Sequence, residues 1–480
     1  MADTKLTDLT ALTAPISTDM MYVVDDPGVS SLSKKVTIGN LYEGAFATAT
    51  EKTVSGGVLT VDLNSHKVQP QSGTADDIDT ISGMPDDTTL FLWPSDEGTD
   101  ILTFKHGTGN LSCFGGLDIK LIEGMVICQY DGTTVYVNGG NTYVGNNVLI
   151  NSRMQVPQRG TSFTAATTPA NSDDTYLLDR WVLLSDGNDI VDVSQETTTI
   201  PTSGTSAAKF LIATEDKKFG FLQILENKDS LSLVGGVVSL SFKAAMAAGD
   251  TSTLLRAAVI SWSSTADTVT RDVVSAWNAE GTNPTLAENW TYENTPAALS
   301  ALTATYQTFT IENISVDTAS TANVAVFIWS DDMTNAAGDI VYLTDVELET
   351  GRTATPFRTR GVGFTEELVL CKRYYKKSYT DGVFAGAVTS TGKLVGIVAN
   401  TFYLVFDYMP FGIPMRAAPT ITCYSPATGA SGKARDSSGA ADVDFIGINM
   451  ATNGTRFYNS GGGLTAPRTT EWHYTAEAEL

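Results

Sequence analysis

The chain has 480 residues, with 30 basic against 54 acidic side chains, a net charge of −24, 42% hydrophobic and 18% charged residues. Plentiful apolar and β-branched residues exclude a disordered chain, and no apolar run approaches the ~18 residues of a helical membrane span. The acid excess argues against free nucleic acid, which needs a basic face for its phosphates.

Met1-Ala-Asp-Thr-Lys5 lacks a basic segment before an apolar core, so the expectation is a chain made and folded in a cytoplasm. The four cysteines, Cys113, Cys128, Cys371 and Cys423, match no zinc spacing and read as reduced, buried thiols. Charge is uneven. Residues 1–147 and 148–360 each carry a net −12, whereas residues 361–480 carry ten basic and ten acidic groups. The last quarter lacks the repulsion that keeps the rest apart, and subunit contact is one way to cover its apolar surface.

Residues 1–45 hold Leu6, Leu9 and Leu12, then Tyr22-Val23-Val24 before an Asp26-Pro27-Gly28 stop. This segment is too short for a domain and reads as an arm that orders on a partner. Residues 46–145 carry short apolar stretches every 8–12 residues, such as Thr89–Trp93, Ile101–Phe104, Met125–Tyr130 and Thr134–Val137. Between them lie Gly107-Thr-Gly-Asn110 and Asp131-Gly132, which read as hairpin turns of a sandwich or prism. A Gly/Asn-rich linker, Asn138–Asn147, follows. Residues 146–360 offer strands at 181–184, 219–225, 237–242, 257–262, 307–311, 324–329 and 340–348, the spacing of a two-sheet jelly roll. Residues 361–480 open on helical spacing over Glu366–Lys377, acid first and base last. Strands at 395–398, 402–408, 420–424, 445–448 and 456–458 come next. The fold class is therefore all-β and multi-domain: an arm, a sandwich or prism, a jelly roll and a small mostly-β C-terminal domain.

Three blocks resemble the fibre proteins of tailed bacteriophages. Leu6-Thr-Asp-Leu-Thr-Ala-Leu12, Tyr22–Pro27 and Lys34–Ile38 are similar to an N-terminal virion-attachment segment. Asp79-Thr-Ile-Ser-Gly83, Gly107–Leu111 and Tyr130-Asp-Gly132 are similar to a recurrent fibre domain. Asn147–Phe163 with Leu178-Asp-Arg-Trp181, and Leu343–Phe357, resemble the opening and closing of a carbohydrate-binding-module-like jelly roll. Glu366–Tyr375, Pro414–Thr420 and Tyr474–Leu480 resemble fibre C-terminal segments. The resemblance implies a parallel homotrimer on a virion, assembled in a host bacterial cytoplasm. Residues 1–45 would bind a tail, baseplate or capsid protein, with Leu6, Leu9, Leu12, Tyr22, Val23 and Val24 as the attachment residues. The far end would hold a bacterial surface polysaccharide. A capsid-attached fibre and a glycan-degrading spike are the alternatives.

Catalytic motifs are missing: three histidines, His66, His106 and His473, lie in three blocks, and no nucleophile elbow or zinc-binding helix occurs. The expectation is a binding protein without cofactor or membrane insertion. Sugars stack on aromatic faces and give their hydroxyls to amides and carboxylates. Trp277, Glu280, Trp290, Tyr292 and Asn294 share one stretch without strand period and form the leading glycan candidate, with a loop folded back over the sandwich edge as the alternative. Trp181, Trp262 and Trp329 read as core. Tyr424, Arg435, Arg456, Tyr458 and Trp472 are candidate contacts in the C-terminal region, or else close a trimer. Tyr374-Tyr375 reads as packing. Asp173, Asp174 and Asp345 are the candidate ligands of a structural Ca²⁺, and Asp331-Asp332 offers further oxygen ligands.

Overall fold

The computed structural model describes residues 20–25 and 32–37, then residues 50–480 except 63–64, 74, 97–98, 115–117, 122–123, 140–146, 252–253, 319, 332–334, 362, 399–407 and 462–467. Met20–Asp25 and Leu32–Thr37 pair as an antiparallel ribbon. Leu6, Leu9 and Leu12 lie outside the described residues, as does most of the strand expected at 402–408. The chain divides into two compact units, 1–144 and 145–480.

In the first unit, parallel pairing replaces most of the expected hairpins. Thr50–Thr53, His66–Gln69 and Thr88–Pro94 stack in parallel. Val58–Thr60 lies parallel to Thr80–Ser82, and Ala75–Ile78 to Ile101–Phe104. Successive strands thus turn a corner into a different sheet and meet their partners one coil later. The antiparallel hairpin Val126–Tyr130/Val135–Gly139, joined by Asp131-Gly132, is as expected. Gly107–Asn110 is a corner, since the strands on either side belong to different sheets. Gly109 has φ +51°, and a Cβ there would overlap the Asp79 carbonyl oxygen. The Asn110 side chain then acts as a short strand: its Oδ1 accepts from Ile81 N at 3.0 Å and its Nδ2 donates to Ile81 O at 2.7 Å. Leu59, Val68, Ile78, Leu92, Leu102, Phe104 and Val126 fill the interior.

The second unit contains a two-sheet antiparallel sandwich. One sheet runs in the order 162–163, 191–196, 207–212, 340–350, 237–246, 307–315, and the other 175–176, 182–185, 219–224, 323–330, 255–262, 290–292. Trp181, Phe210, Phe221, Phe242 and Val326 pack between them, with Trp181 stacked on Phe221 at 5.3 Å. The second sheet is buried on both faces, and for that reason its strands read as continuous apolar runs. Its outer face holds Trp262, Phe327 and Trp329, with Trp290 of the edge strand beside Trp262, and is roofed by Val273 and Val274.

Beyond residue 360 the helix covers Gly363–Cys371, shorter than the helical spacing predicts. It ends early because Tyr375–Lys377 is drawn into a ladder with Arg468–Glu477. That last strand is the spine of the C-terminal region: Leu394–Val398, Thr420–Tyr424 and Lys433–Asp436 also pair with it. No helix among the described residues is long and apolar enough to cross a membrane. The four cysteines are buried and unbridged.

Candidate functional site

The structure makes most of the leading glycan candidates into walls. Trp290 is buried, tilted against Trp262 at 5.4 Å, and its Nε1 donates to Thr270 O at 2.8 Å. Asn294 braces a sandwich strand, accepting from Val259 N and donating to Ala257 O. The Tyr292 hydroxyl donates to Pro284 O at 2.8 Å, and Trp277 leans half-buried on Phe327. Glu280 is exposed. Residues 290–292 are the edge strand of the second sheet, and Val273, Val274 and Trp277 ahead of them cover that sheet's outer Trp and Phe side chains.

The C-terminal candidates also divide. Trp472 is buried between Phe445 and Phe457, at 5.0 and 5.1 Å, and belongs to the core. Arg435 pairs with Asp442 at 3.3 Å. Arg456 and Tyr458 stand on the strand Gly454–Asn459, paired opposite Ile448 and Ile446. The proposed calcium ligands are not brought together. Asp345 is buried between Arg153 and Lys243, at 2.7 and 2.8 Å, so two cations already neutralise it. Asp174 pairs with Arg271 at 2.7 Å, and Asp173 accepts from Ser185 N. Asp331 is held by Lys218 and Arg256, and Asp332 lies outside the described residues. No cluster of three metal-ligating side chains occurs among the described residues.

Of the glycan candidates Tyr424 alone lines a cleft of about 260 Å³ in the second unit, together with the calcium candidate Asp174. The sandwich contributes Arg159, Pro169, Asp174, Tyr176 and Arg271. The C-terminal region contributes Tyr375, Ala385, Thr422, Tyr424, Thr475 and Glu477. The floor is Arg159, whose guanidinium lies 3.9 Å over the Tyr375 ring and 5.4 Å over Tyr176. Its Nη2 reaches Glu479 at 3.1 Å and Glu477 at 3.3 Å, while Nη1 sits 3.9 Å from Asp179. Burial opposes the charge of Arg159, but Glu477 and Glu479 outweigh it and hold its pKa above the ordinary value. Burial pushes the Asp179 carboxyl up to about 6 despite Arg159 and Gln158. It also raises the phenols of Tyr176, Tyr375 and Tyr424, which therefore stay neutral donors.

Beneath the floor the motif residues form a seam. Gln158 donates to Asp179 at 2.6 Å and to Tyr375 O at 3.1 Å. Arg180 stacks 3.6 Å over Tyr374, pairs with Glu479 and donates to Ile224 O at 2.6 Å. Glu367 accepts from both Asn151 N and Gly361 N at 2.7 Å. Arg360 grips Asp229 through two nitrogens at 2.7 and 2.8 Å. The sandwich and the residues after 360 thus pack together within the compact unit 145–480. The Tyr374-Tyr375 pair is packing within the chain, under two arginines. Sequence reasoning missed Arg159, Tyr176, Arg271 and Tyr375. The signal available was the run Gln158-Arg159 with Asp179-Arg180: charged residues inside otherwise core-like segments, which need partners when buried.

No family model and no curated protein matches the chain's sequence. Among solved structures it is similar to TmCBM61 in complex with β-1,4-galactotriose, at 15% identity over 43% of this chain and 99% of that one, TM-score 0.24. It is similar to the CBM22-1 xylan-binding domain from Paenibacillus barcinonensis Xyn10C, at 13% identity over 44% and 97%, TM-score 0.24. It is also similar to the enzymatically active domain of bacteriophage CBA120 tailspike protein 4, at 12% identity over 64% of this chain and 39% of that one, TM-score 0.27. At such TM-scores these likenesses carry no argument about function.

Proposed function

We propose that this protein is a virion fibre subunit of a tailed bacteriophage that adheres to a host surface glycan through the cleft between its sandwich and its C-terminal sheet. One observation carries the glycan reading. The cleft sets a half-buried tyrosine, Tyr424, beside the partly exposed pair Arg271–Asp174 and the Glu477 carboxylate, whose partner Arg159 is buried beneath. A sugar ring needs a flat face to stack on and adjacent donors and acceptors for its hydroxyls, and this arrangement offers both. The sequence resemblance of residues 1–45 supports virion attachment, and the charge-neutral C-terminal quarter supports assembly as a trimer. Three weak sites held together then act as one strong one.

The test uses the intact chain. Light scattering should give three times 51.0 kDa. The purified protein should block phage adsorption to host cells, and Tyr424→Ala should lose that block. A chain that neither binds cells nor slows adsorption, as wild type, overturns the receptor-binding reading.

A further inference from the structure

We propose that the saccharide taken by this cleft is uncharged; the proposal rests on the glycan reading above and adds the chemical class. The argument is a balance of charges within hydrogen-bonding reach. Arg271 is matched by Asp174 at 2.7 Å. Arg159 faces Asp179, Glu477 and Glu479 together, and Glu479 is shared with Arg180. Each of these guanidinium groups is therefore neutralised from within the chain. Among the described residues lining the cleft each guanidinium has its acid, and the one buried nitrogen without a hydrogen bond, Arg159 Nη1, lies 3.9 Å from Asp179.

The rim deepens this contrast. Asp174 and Glu477 are the partly exposed acids, with side-chain exposures of 35% and 42%. An acidic sugar would bring its own anion against them, on a chain already at −24. A neutral sugar meets the same groups as partners. A carboxylate offers about four lone-pair positions, and one guanidinium N–H uses one of them. Arg271 spends its Nε on Asp174 and keeps its two terminal nitrogens as donors. The Arg271–Asp174 pair thus places acceptor beside donor, the complement of two adjacent hydroxyls, Glu477 adds a second acceptor, and Tyr424 offers an apolar ring.

The experiment compares neutral and acidic polysaccharides on the full chain. Dextran, β-galactan and mannan form one arm; polygalacturonate, hyaluronate and polysialic acid form the other, each at about 20 and 500 mM NaCl, spanning Debye lengths from roughly 20 Å to under 5 Å. The expected result is binding within the neutral arm, with Kd changing less than about twofold across that salt range. Asp174→Asn and Glu477→Gln, conservative changes checked by circular dichroism, should each weaken it about tenfold as charge-assisted hydrogen bonds are lost. Tightest binding to an acidic polysaccharide, weakening as salt rises, overturns the neutral class and leaves the glycan reading standing. Binding to neither arm, with host adsorption unaffected by Tyr424→Ala, overturns both.

Discussion

The two units solve the same problem, burying one face of many short strands, by opposite means. In residues 50–139 the strands coil, and backbone devices set the turns: Gly109 in the left-handed region and Asn110 mimicking a strand at a corner, and Asp131 accepting from Thr133 N and Thr134 N at the hairpin. In residues 145–480 the strands run antiparallel, and what joins the sandwich to the C-terminal sheet is a layer of buried charge, Arg159, Asp179, Arg180 and Glu479. The first solution relies on conformations that few residues adopt. The second relies on partners that must all be present, since a buried ion left alone keeps its desolvation penalty.

The contrast breaks most sharply at Arg180. Arg180→Ala leaves Glu479 buried with one cation fewer and strips the guanidinium from the Tyr374 ring, and should destabilise the second unit by about 3–5 kcal/mol while leaving the first unchanged. Calorimetry should show one transition falling and one standing still. Tryptophan fluorescence should follow the falling one, because six of the seven tryptophans lie beyond residue 145.

A pH series probes the buried acids of the strand Ile340–Thr350. Burial first, then Glu349, pushes the Glu347 carboxyl up to about 8. The native state therefore keeps this proton over a range where the unfolded chain has lost it. The associated stability is complete below about pH 4.5 and is lost as the pH climbs toward about 8. Glu347→Gln should abolish that loss, a gain of up to roughly 4 kcal/mol near pH 9, read from melting temperatures between pH 5 and 9. An unchanged pH profile would show that Glu347 is ionised without cost.

The corner at Gly109 is the counterpart in the first unit. Gly109→Ala combines a positive φ with a clash on Asp79 and should cost that unit about 2 kcal/mol, with the second transition unmoved. The smallest effect belongs to the cleft: Tyr424→Ala should weaken glycan binding about tenfold, near 1.4 kcal/mol, without shifting either melting transition.

Legibility followed burial. Phe219–Ile224, Leu255–Trp262 and Asn323–Ser330 were readable as strands because both their faces are covered and apolar residues run unbroken. Trp181, Trp262 and Trp329 were readable as core for the same reason. Arg468–Glu477 was not, since Thr470, Trp472, Tyr474 and Ala476 alternate with Thr469, Glu471, His473 and Thr475, and most of these residues are polar. Yet this strand organises the C-terminal region. The parallel pairing of Thr50–Thr53 with His66–Gln69 was equally hidden, because a Gly-containing turn looks alike whether the chain returns to its neighbour or turns a corner. Trp290 and Trp472 misled as sugar platforms, because an aromatic in a polar stretch does not reveal which face it covers.

By itself, then, the sequence determined an all-β chain, the strands of its sandwich, the fate of its thiols and an uneven charge. These follow from composition and local period, which are properties of neighbouring residues. Tertiary structure alone decided which strands pair, that residues 145–480 form one unit, and that Tyr176, Tyr375 and Tyr424 share a cleft with Arg159 and Arg271. Those residues are separated by up to about 265 positions, and nothing local couples them. They meet because buried Arg159 and Arg180 had to find Glu477 and Glu479 once water was excluded.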